Sequence, residues 1–363
     1  MNEKLQWLRN KLNSLDLQGI VLTDANNIKY LTNLEAEGTL LMTRKENIYI
    51  TDARYLEEVN NTLTLLDEII VYDVRDLNQD DFQNFFMFCE NVGFEENSIT
   101  YSGYKELIRK YKINNLVETE NIIEKQRMIK DSKELEYLKE ACEITDNCFA
   151  YILSYIKPGM TEKQIALEIE EYFKVRSDGL AFETIVATGE NTSKPHAVPT
   201  ERKVEKIDII TIDMGCKVKG YASDMTRTFF VGEVTKEQKY IYDIVKYNET
   251  QVDNMLKEGA NTRQIAKAVE NDLALNNFNL LHSIGHGVGL DVHEIPYFST
   301  RGENILKDNM VVAIEPGIYL PGKFGVRIEN TKKITKFGCI NLTKSEKDYI
   351  VICKIEPNTW FWH

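Results

Sequence analysis

Hydrophobic residues in the first third of the chain follow both helical and strand periods. Four leucines from Leu5 to Leu15 recur every three or four residues, which predicts an amphipathic helix over the first sixteen residues. Asp52 is placed to cap a short helix through Val59, and another helix is expected around Asp80–Cys89. Short apolar runs predict strands at Gly19–Leu22, Thr39–Met42, Ile48–Thr51, Ile69–Tyr72 and Val92–Phe94. This alternation indicates an αβ unit of ordinary domain size.

A polar run over residues 118–130 separates that unit from a region of longer helices. Apolar side chains at helical spacing predict one long helix over Asp131–Ile156. We therefore expect two domains, 1–124 and 125–363, with their boundary near residue 124. The first domain contains no catalytic motif, so we interpret it as a scaffold or dimerisation domain that helps to wall the active site.

The second domain contains a weak internal repeat. Residues 158–170 (PGMTEKQIALEIE) and 258–270 (EGANTRQIAKAVE) share the same residue at five positions. Each segment follows a predicted long helix, and capping boxes at 161–164 and 235–238 mark two of the helix starts. The repeat predicts a duplicated helix-helix-sheet unit whose halves face each other across a shared site. Chance similarity between two helix starts is the alternative.

Composition and charge narrow the classes of partner. The 363 residues carry a formal net charge of -13 and no basic stripe, so a nucleic-acid partner is not expected. Charges throughout the N-terminal segment argue against a signal peptide or a membrane anchor. Six cysteines without a CxxC pair indicate free thiols, and we expect a cytoplasmic protein. The aromatic segment Pro357–His363 is expected to pack against the protein or to contribute to an interface.

Candidate chemistry begins at the stretch 281–296, which reads LHSIGHGVGLDVHEIP. It holds three of the chain's five histidines, His282, His286 and His293. Three glycines in the same stretch disfavour a helix, so we predict an extended or looped strand. In a strand, His282 and His286 would project from one face. A cluster of this density favours a metal site or a catalytic site over a structural role.

Four acidic residues flank the histidine cluster at the ends of predicted strands. Asp213 ends an apolar run, and Asp224 follows across a glycine turn; Glu315 and Glu329 repeat this arrangement. Four carboxylates and the neutral imidazole of His286 carry a charge of roughly -4, which two divalent ions balance. Bridging carboxylates hold such ions about 3.5 to 4 Å apart. The oxygen-rich donor set favours Mn²⁺, Co²⁺ or Fe²⁺ and also accepts Zn²⁺.

Four segments carry a resemblance to a known family. They read FETIVATGENTSKPH (182–196), IDMGCKVKGYASDMTRTF (212–229), HSIGHGVGLDVHE (282–294) and EPGIYLPGKFGVRIEN (315–330). These segments resemble those of the Xaa-Pro aminopeptidases and Xaa-Pro dipeptidases, proline-specific metallopeptidases of the pita-bread fold. The resemblance implies an α/β (α+β) architecture: an N-terminal creatinase-like αβ domain, then a pita-bread domain with an internal pseudo-twofold duplication. It also implies a homodimer.

The resemblance assigns the metal ligands residue by residue. Asp213 would bind one ion, His286 and Glu315 the other, and Asp224 and Glu329 would bridge the two. Mn²⁺ is the first expectation for both ions.

The same resemblance implies the catalytic and substrate-binding residues. A hydroxide held between the metals would attack the scissile carbonyl, and Glu315 would relay its proton. His196 would approach the substrate amide, and His293 would stabilise the tetrahedral intermediate. His282 and Arg327 would belong to the substrate pocket.

The implied activity is removal of the N-terminal residue from peptides with proline in the second position. A methionine-type aminopeptidase, a creatinase-like C–N hydrolase and a noncatalytic binding or scaffold protein are alternatives on the same fold. The last two alternatives are disfavoured because such relatives lack metal ligands, whereas all five ligand positions are filled in this chain. One departure is Asn330, where the family often has an acid; it is expected to tune the metal without removing it.

Overall fold

The computed structural model describes residues 3–63, 69–75 and 84–352. The predicted helix over Asp80–Cys89 lies partly outside these residues, and the aromatic segment Pro357–His363 lies wholly outside them. The chain divides into two units, Met1–Arg127 and Met128–His363. No helix within the described ranges is both long enough and apolar enough to cross a membrane.

The first unit is built on a six-stranded mixed sheet in the order β4-β3-β2-β1-β5-β6. Its strands are β1 Gly19–Leu22, β2 Gly38–Thr43, β3 Asn47–Thr51, β4 Ile69–Asp73, β5 Asn91–Phe94 and β6 Asn115–Glu118. Its described helices are α1 Glu3–Ser14, α2 Ala25–Thr32, α3 Leu56–Leu63, α4 Tyr101–Tyr111 and α5 Ile122–Arg127. The predicted first helix, the strands and the β2–β3 hairpin are confirmed.

One local expectation for this unit is wrong. Asp52 does not cap a helix, because α3 begins only at Leu56; its carboxylate instead accepts from the backbone and side chain of Arg54. The polar run 118–130 contains α5, which buries Ile122 and Ile123, and the boundary between the two units falls within this run.

The described part of the second unit places four helices around small, mainly antiparallel sheets. The helices are α6 Ser132–Tyr155, α7 Glu162–Arg176, α8 Lys236–Met255 and α9 Thr262–Leu275. The strands are β7 Gly179–Leu180, β8 Ile185–Thr188, β9 Asp208–Met214, β10 Cys216–Val218, β11 Tyr221–Ala222, β12 Met225–Val231, β13 Gly285–Gly287, β14 Glu294–Tyr297, β15 Val311–Ile314, β16 Gly317–Leu320, β17 Phe324–Arg327, β18 Asn330–Ile334, β19 Cys339–Asn341 and β20 Val351–Ile352. Capping boxes at Thr161 and Thr235 start α7 and α8, as predicted.

The hydrogen bonds of the second unit repeat at an offset of about 100 residues, as expected for a duplication. Before α7, Gly159 N donates to Val204 O across 2.8 Å; before α9, Gly259 N donates to Leu306 O across 2.8 Å. Both glycines have positive φ, 98° and 83°. In the first half β9 pairs with β8 and β12, and in the second β15 pairs with β13 and β18, all antiparallel. Each half therefore presents a central strand flanked by two others.

Candidate metal centre

The first pair of acids lies where β9 and β12 face each other. Asp213 is in β9 and pairs in register with Thr226 of β12, and Asp224 immediately precedes that strand. The predicted hairpin is closed through β10 and β11. Asp213 Oδ1 is buried and has no hydrogen-bond partner among the described residues. A buried carboxylate oxygen without a donor is costly unless a cation contacts it.

The second pair of acids occupies the corresponding positions of the other half. Glu315 follows β15, Glu329 precedes β18, and the β16–β17 hairpin lies between them. Pairing of Ile314 with Asn330 brings the two acids to the same end of the sheet. Glu329 Oε2 accepts from the hydroxyl of Thr226 at 2.7 Å, which ties the second pair to the first.

His286 lies at the centre of β13, where glycines let neighbouring backbones approach closely. A Cβ on Gly285 would lie 2.3 Å from Ala313 O, and one on Gly287 would lie 2.4 Å from Ile295 O. The Nδ1 of His286 lies 3.1 Å from Gly287 O. A carbonyl only accepts, so Nδ1 carries the proton of the neutral ring and Nε2 keeps its lone pair.

The Nε2 atom of His286 points among the acids. It lies 3.5 Å from Asp224 Oδ2 and 3.7 Å from Glu315 Oε1. Possible ligand atoms of His286, Glu315 and Glu329 lie within 4.8 Å of one another, as do those of Asp213, Asp224 and Glu329. The structure thus brings all five sequence-predicted ligands into two overlapping donor groups.

The pKa values of these groups show that the protein alone does not compensate the negative charge of the buried acids. Burial and the carboxylates of Glu329, Asp213 and Glu315 raise the pKa of Asp224 well above its ordinary value. Burial raises the pKa of Glu329 well above its ordinary value, and the carboxylates of Asp213 and Glu315 add to this effect. Burial raises the pKa of Glu315 to about 8. Burial lowers the pKa of His286 to about 4, which keeps the ring neutral at pH 7.

These observations fit a site for divalent cations. Oxygen donors dominate, one neutral imidazole nitrogen completes the set, and mutual repulsion between carboxylates is relieved when positive charge lies among them. One addition to the sequence interpretation is His293. Its ring centroid is 4.3 Å from that of His286, and it forms a third donor group with Asp224 and His286.

A hydrogen-bonded chain joins the two residues predicted for the substrate pocket. His282 Nε2 lies 2.9 Å from the hydroxyl of Tyr319, and Arg327 Nη1 donates to that hydroxyl at 2.9 Å. Arg327 Nη2 donates to Asp213 Oδ2 at 2.8 Å. Tyr319 was not predicted as a site residue, although it shares strand parity with Gly317 and Glu315.

His282 does not lie in the same strand as His286. The strand covers only Gly285–Gly287, and His282 stands in the bend before it. Both histidines nevertheless line one cavity of about 530 Å³, together with His196, His293 and the acids. His196 is exposed at this cavity, in the loop that follows a short 3-10 turn, Gly189–Ser193. The remaining wall is largely apolar and includes Phe182, Ile185, Pro195, Ala197 and Val292.

Comparison with known proteins gives a consistent result. Residues 136–336 match the model of metallopeptidase family M24, and residues 4–129 match the creatinase/prolidase N-terminal domain. An uncharacterized peptidase, YqhT, of Bacillus subtilis (strain 168) is 35% identical over 96% of this chain and 100% of its own. A Xaa-Pro dipeptidase of Pyrococcus horikoshii is 32% identical over 96% of this chain and 99% of its own.

A solved structure extends the likeness to the whole fold. The Xaa-Pro dipeptidase from Bacillus anthracis superposes with a TM-score of 0.90 at 33% identity, covering 96% of this chain and 99% of that one. These findings confirm the resemblance that the four sequence segments carry. They also confirm the fold class, a creatinase-like N-terminal domain followed by a pita-bread domain.

Proposed function

The chain belongs to metallopeptidase family M24, a family of hydrolases, and from that premise we propose that it removes the N-terminal residue from peptides with proline in the second position. The observation that carries the proposal is the set of four acids and one neutral imidazole converging on a single cavity. Relatives named Xaa-Pro dipeptidase support the choice of substrate. Their name favours dipeptides over longer peptides.

We assign two divalent ions to the donor groups, with Mn²⁺ as the expected metal. Asp213 would hold one ion, His286 with Glu315 the other, and Asp224 and Glu329 would contact both. Charge supports the count, because four carboxylates carry roughly -4 and two divalent ions neutralise them. When bound, the ions would supply water ionised at neutral pH as the nucleophile and would polarise the scissile carbonyl.

The protein's own side chains have complementary tasks. Glu315, beside the ions, would take the proton of the attacking water and relay it to the leaving nitrogen. His196 would donate a hydrogen bond to the substrate amide, and His293 would donate one to the developing oxyanion. Arg327 orients Asp213 and, through Tyr319, His282, which would contact the bound peptide.

Selection of proline follows from the bond that is cut. A Xaa-Pro bond is a tertiary amide without an N–H, and its ring fixes φ, so a site that recognises the N–H of an extended chain fails on it. The apolar wall around Phe182, Ile185 and Val292 offers surface for a pyrrolidine ring instead. We further propose that the N-terminal unit is a scaffold and dimerisation domain, and that the protein is a cytoplasmic homodimer.

The direct test is hydrolysis of Ala-Pro and Ala-Pro-Ala by metal-stripped protein refilled with Mn²⁺, beside an Asp224→Asn variant. We expect release of alanine that requires metal and is lost in the variant. A Met-Ala peptide distinguishes a methionine-type aminopeptidase. Binding of two ions without hydrolysis of any Xaa-Pro peptide would contradict the proposed substrate, and binding of no ion would contradict the metal centre.

A further inference from the structure

A single buried carboxylate closes the loop that carries His196. We propose that Glu162, at the start of α7, is a positioning residue that holds this loop so that His196 faces the cavity. The inference rests on the proposed function, in which His196 contacts the substrate. Glu162 itself does not line the cavity and would act only through the loop.

The two oxygens of the carboxylate bind opposite ends of the loop. Oε1 accepts from Thr188 N at 2.7 Å and from the Thr188 hydroxyl at 2.8 Å. Oε2 accepts from Thr200 N at 2.8 Å and from the Thr200 hydroxyl at 2.6 Å. The side-chain amide of Asn191 donates to both oxygens, at 3.0 and 3.2 Å. Residues 189–199 are therefore tied at both ends to one side chain.

Burial and hydrogen bonding indicate that this carboxylate is ionised and that its charge is compensated by hydrogen-bond donors. Glu162 has no solvent exposure, so a charge there requires compensation by donors. Burial alone would raise its pKa, but the hydrogen bonds from Thr200, Asn191 and Thr188 outweigh burial and leave the pKa below its ordinary value. Hydrogen bonds to an ionised acceptor are about twice as strong as neutral ones. The contacts of Glu162 with Thr188, Asn191 and Thr200, called the clasp below, therefore hold the loop strongly.

His196 depends on its loop because its ring makes no hydrogen bond within the described part of the chain. The backbone beside it is fixed instead, since Arg327 Nη1 donates to Pro195 O at 3.0 Å. The hydroxyl of Thr192 accepts from Gly325 N at 2.8 Å. These contacts fasten the middle of the loop, and Glu162 fastens its ends. A displacement of about 1 Å at a reacting group can cost roughly 100-fold in rate.

The second half of the duplication offers an internal comparison. The residue that corresponds to Glu162 is Thr262, at the start of α9, and its hydroxyl accepts from Asn304 N at 3.1 Å. Its backbone N donates to Asn304 O at 3.0 Å. None of the described residues from 299 to 310 lines the cavity. The carboxylate that accepts several hydrogen bonds thus occurs in the half whose loop contributes to the site.

The test combines a double-mutant cycle with a measurement that does not depend on activity. In Glu162→Gln, the amide NH₂ faces the N–H and O–H donors at one end of the loop, so that end is released. We expect a 10- to 100-fold loss of kcat on Ala-Pro with a smaller change in KM. Amide hydrogen exchange in peptides spanning 186–201 should accelerate at least tenfold, while exchange in α9 stays unchanged.

The cycle with His196→Ala separates positioning from general destabilisation. His196→Ala should cost at least tenfold in the wild type but no more than about twofold in the Glu162→Gln background, because the ring is already displaced. Thr262→Val is the matched control. Its loss of rate should be independent of that caused by His196→Ala, so the double variant should show the product of the two losses. Thr200→Val removes one hydroxyl donor and should show the same pattern in weaker form if Glu162→Gln fails to fold.

Two outcomes would overturn the inference: unchanged exchange over 186–201 in both clasp variants, or a full His196→Ala penalty in the Glu162→Gln background. Failure of the proposed function looks different, because the wild-type protein would then not hydrolyse Xaa-Pro peptides at all. In that case the exchange comparison still decides whether Glu162 holds the loop.

Discussion

Asn330 Nδ2 donates to Glu249 Oε1 across 2.7 Å, and both side chains are buried. The amide oxygen of Asn330 accepts in turn from Arg227 Nη2 at 2.7 Å. Glu249 also accepts from Lys332 at 2.6 Å. The departure from an acid at position 330 therefore has a physical reason. An amide can donate to Glu249 while it accepts from Arg227, whereas a carboxylate has no proton to donate.

This pairing predicts the effect of restoring an acid. Asn330→Asp places a second carboxylate against Glu249 and removes a buried hydrogen bond, so the free energy of unfolding should fall by about 2 to 3 kcal/mol. Urea denaturation followed by circular dichroism measures the change. Asn254→Asp makes the same substitution at an exposed helical position and should change stability by less than about 0.5 kcal/mol. Equal effects at the two positions would contradict the role given to Asn330.

Much of the framework follows from local sequence. The β2–β3 hairpin and the helix starts at Thr161 and Thr235 are set by short-range periodicity and capping, which act within a few residues. The same range of interaction explains a failure. Asp52 has the side chain of an N-cap, but Arg54 two residues later takes its carboxylate, and the helix starts later.

The site could be predicted only in part because its connections are long-range. The acids stand out in sequence, since a carboxylate that ends an apolar strand needs compensation. The contact of Tyr319 with His282 and Arg327 spans 37 residues on one side and joins two strands of a hairpin on the other. No local pattern specifies such a contact. The clasp at Glu162 is hidden for the same reason, because its partners lie 26 to 38 residues away.

The close approach at Gly285 gives a second prediction. A Cβ there would lie 2.3 Å from Ala313 O, and backbone atoms cannot move aside as a flexible side chain can. Gly285→Ala should therefore lower the free energy of unfolding by about 2 kcal/mol or more and weaken metal binding through the adjacent His286. Unfolding curves and metal titration measure the two effects. Gly338→Ala, whose Cβ meets nothing within 4 Å, should leave both unchanged.

Glu95 predicts how the stability of the N-terminal unit depends on pH. Burial raises its pKa to about 7 despite hydrogen bonds from Asp24, Asn27 and Thr23. The folded state therefore keeps a proton that the unfolded state has lost, so stability falls as pH rises. The contribution is fully present below about pH 4.5, is lost as pH rises through about 7, and amounts to about 3 kcal/mol.

The measurement is the free energy of unfolding between pH 5 and 8. The wild-type slope should be negative in this range once the Glu95→Gln slope is subtracted. Glu35→Gln removes a charge at an exposed position of the same unit and should leave the wild-type slope intact. A Glu95→Gln protein with the same pH dependence as the wild type would show that Glu95 does not hold the proton.

Substitution of Asp224 should change the stability of the protein in opposite directions with and without metal. In metal-free protein its carboxylate is buried among Glu329, Asp213 and Glu315, and this repulsion raises its pKa. Asp224→Asn removes an acid whose ionised form the metal-free fold disfavours, so at neutral pH the chelated variant should be more stable than the chelated wild type by about 1 to 2 kcal/mol. With Mn²⁺ the order should reverse, because a ligand that binds only the folded state stabilises it more the more tightly it binds, and the variant has lost one metal-binding carboxylate.

Thermal unfolding with EDTA and with excess Mn²⁺ tests this reversal. Asp243→Asn removes a negative charge from the exposed face of α8 and should shift neither curve. A destabilising effect of Asp224→Asn in both conditions would mean that the carboxylate serves packing or hydrogen bonding alone. A reversal would tie the cost of gathering four acids in the folded chain to the binding of the cations that they attract, which links the stability of the fold to its proposed chemistry.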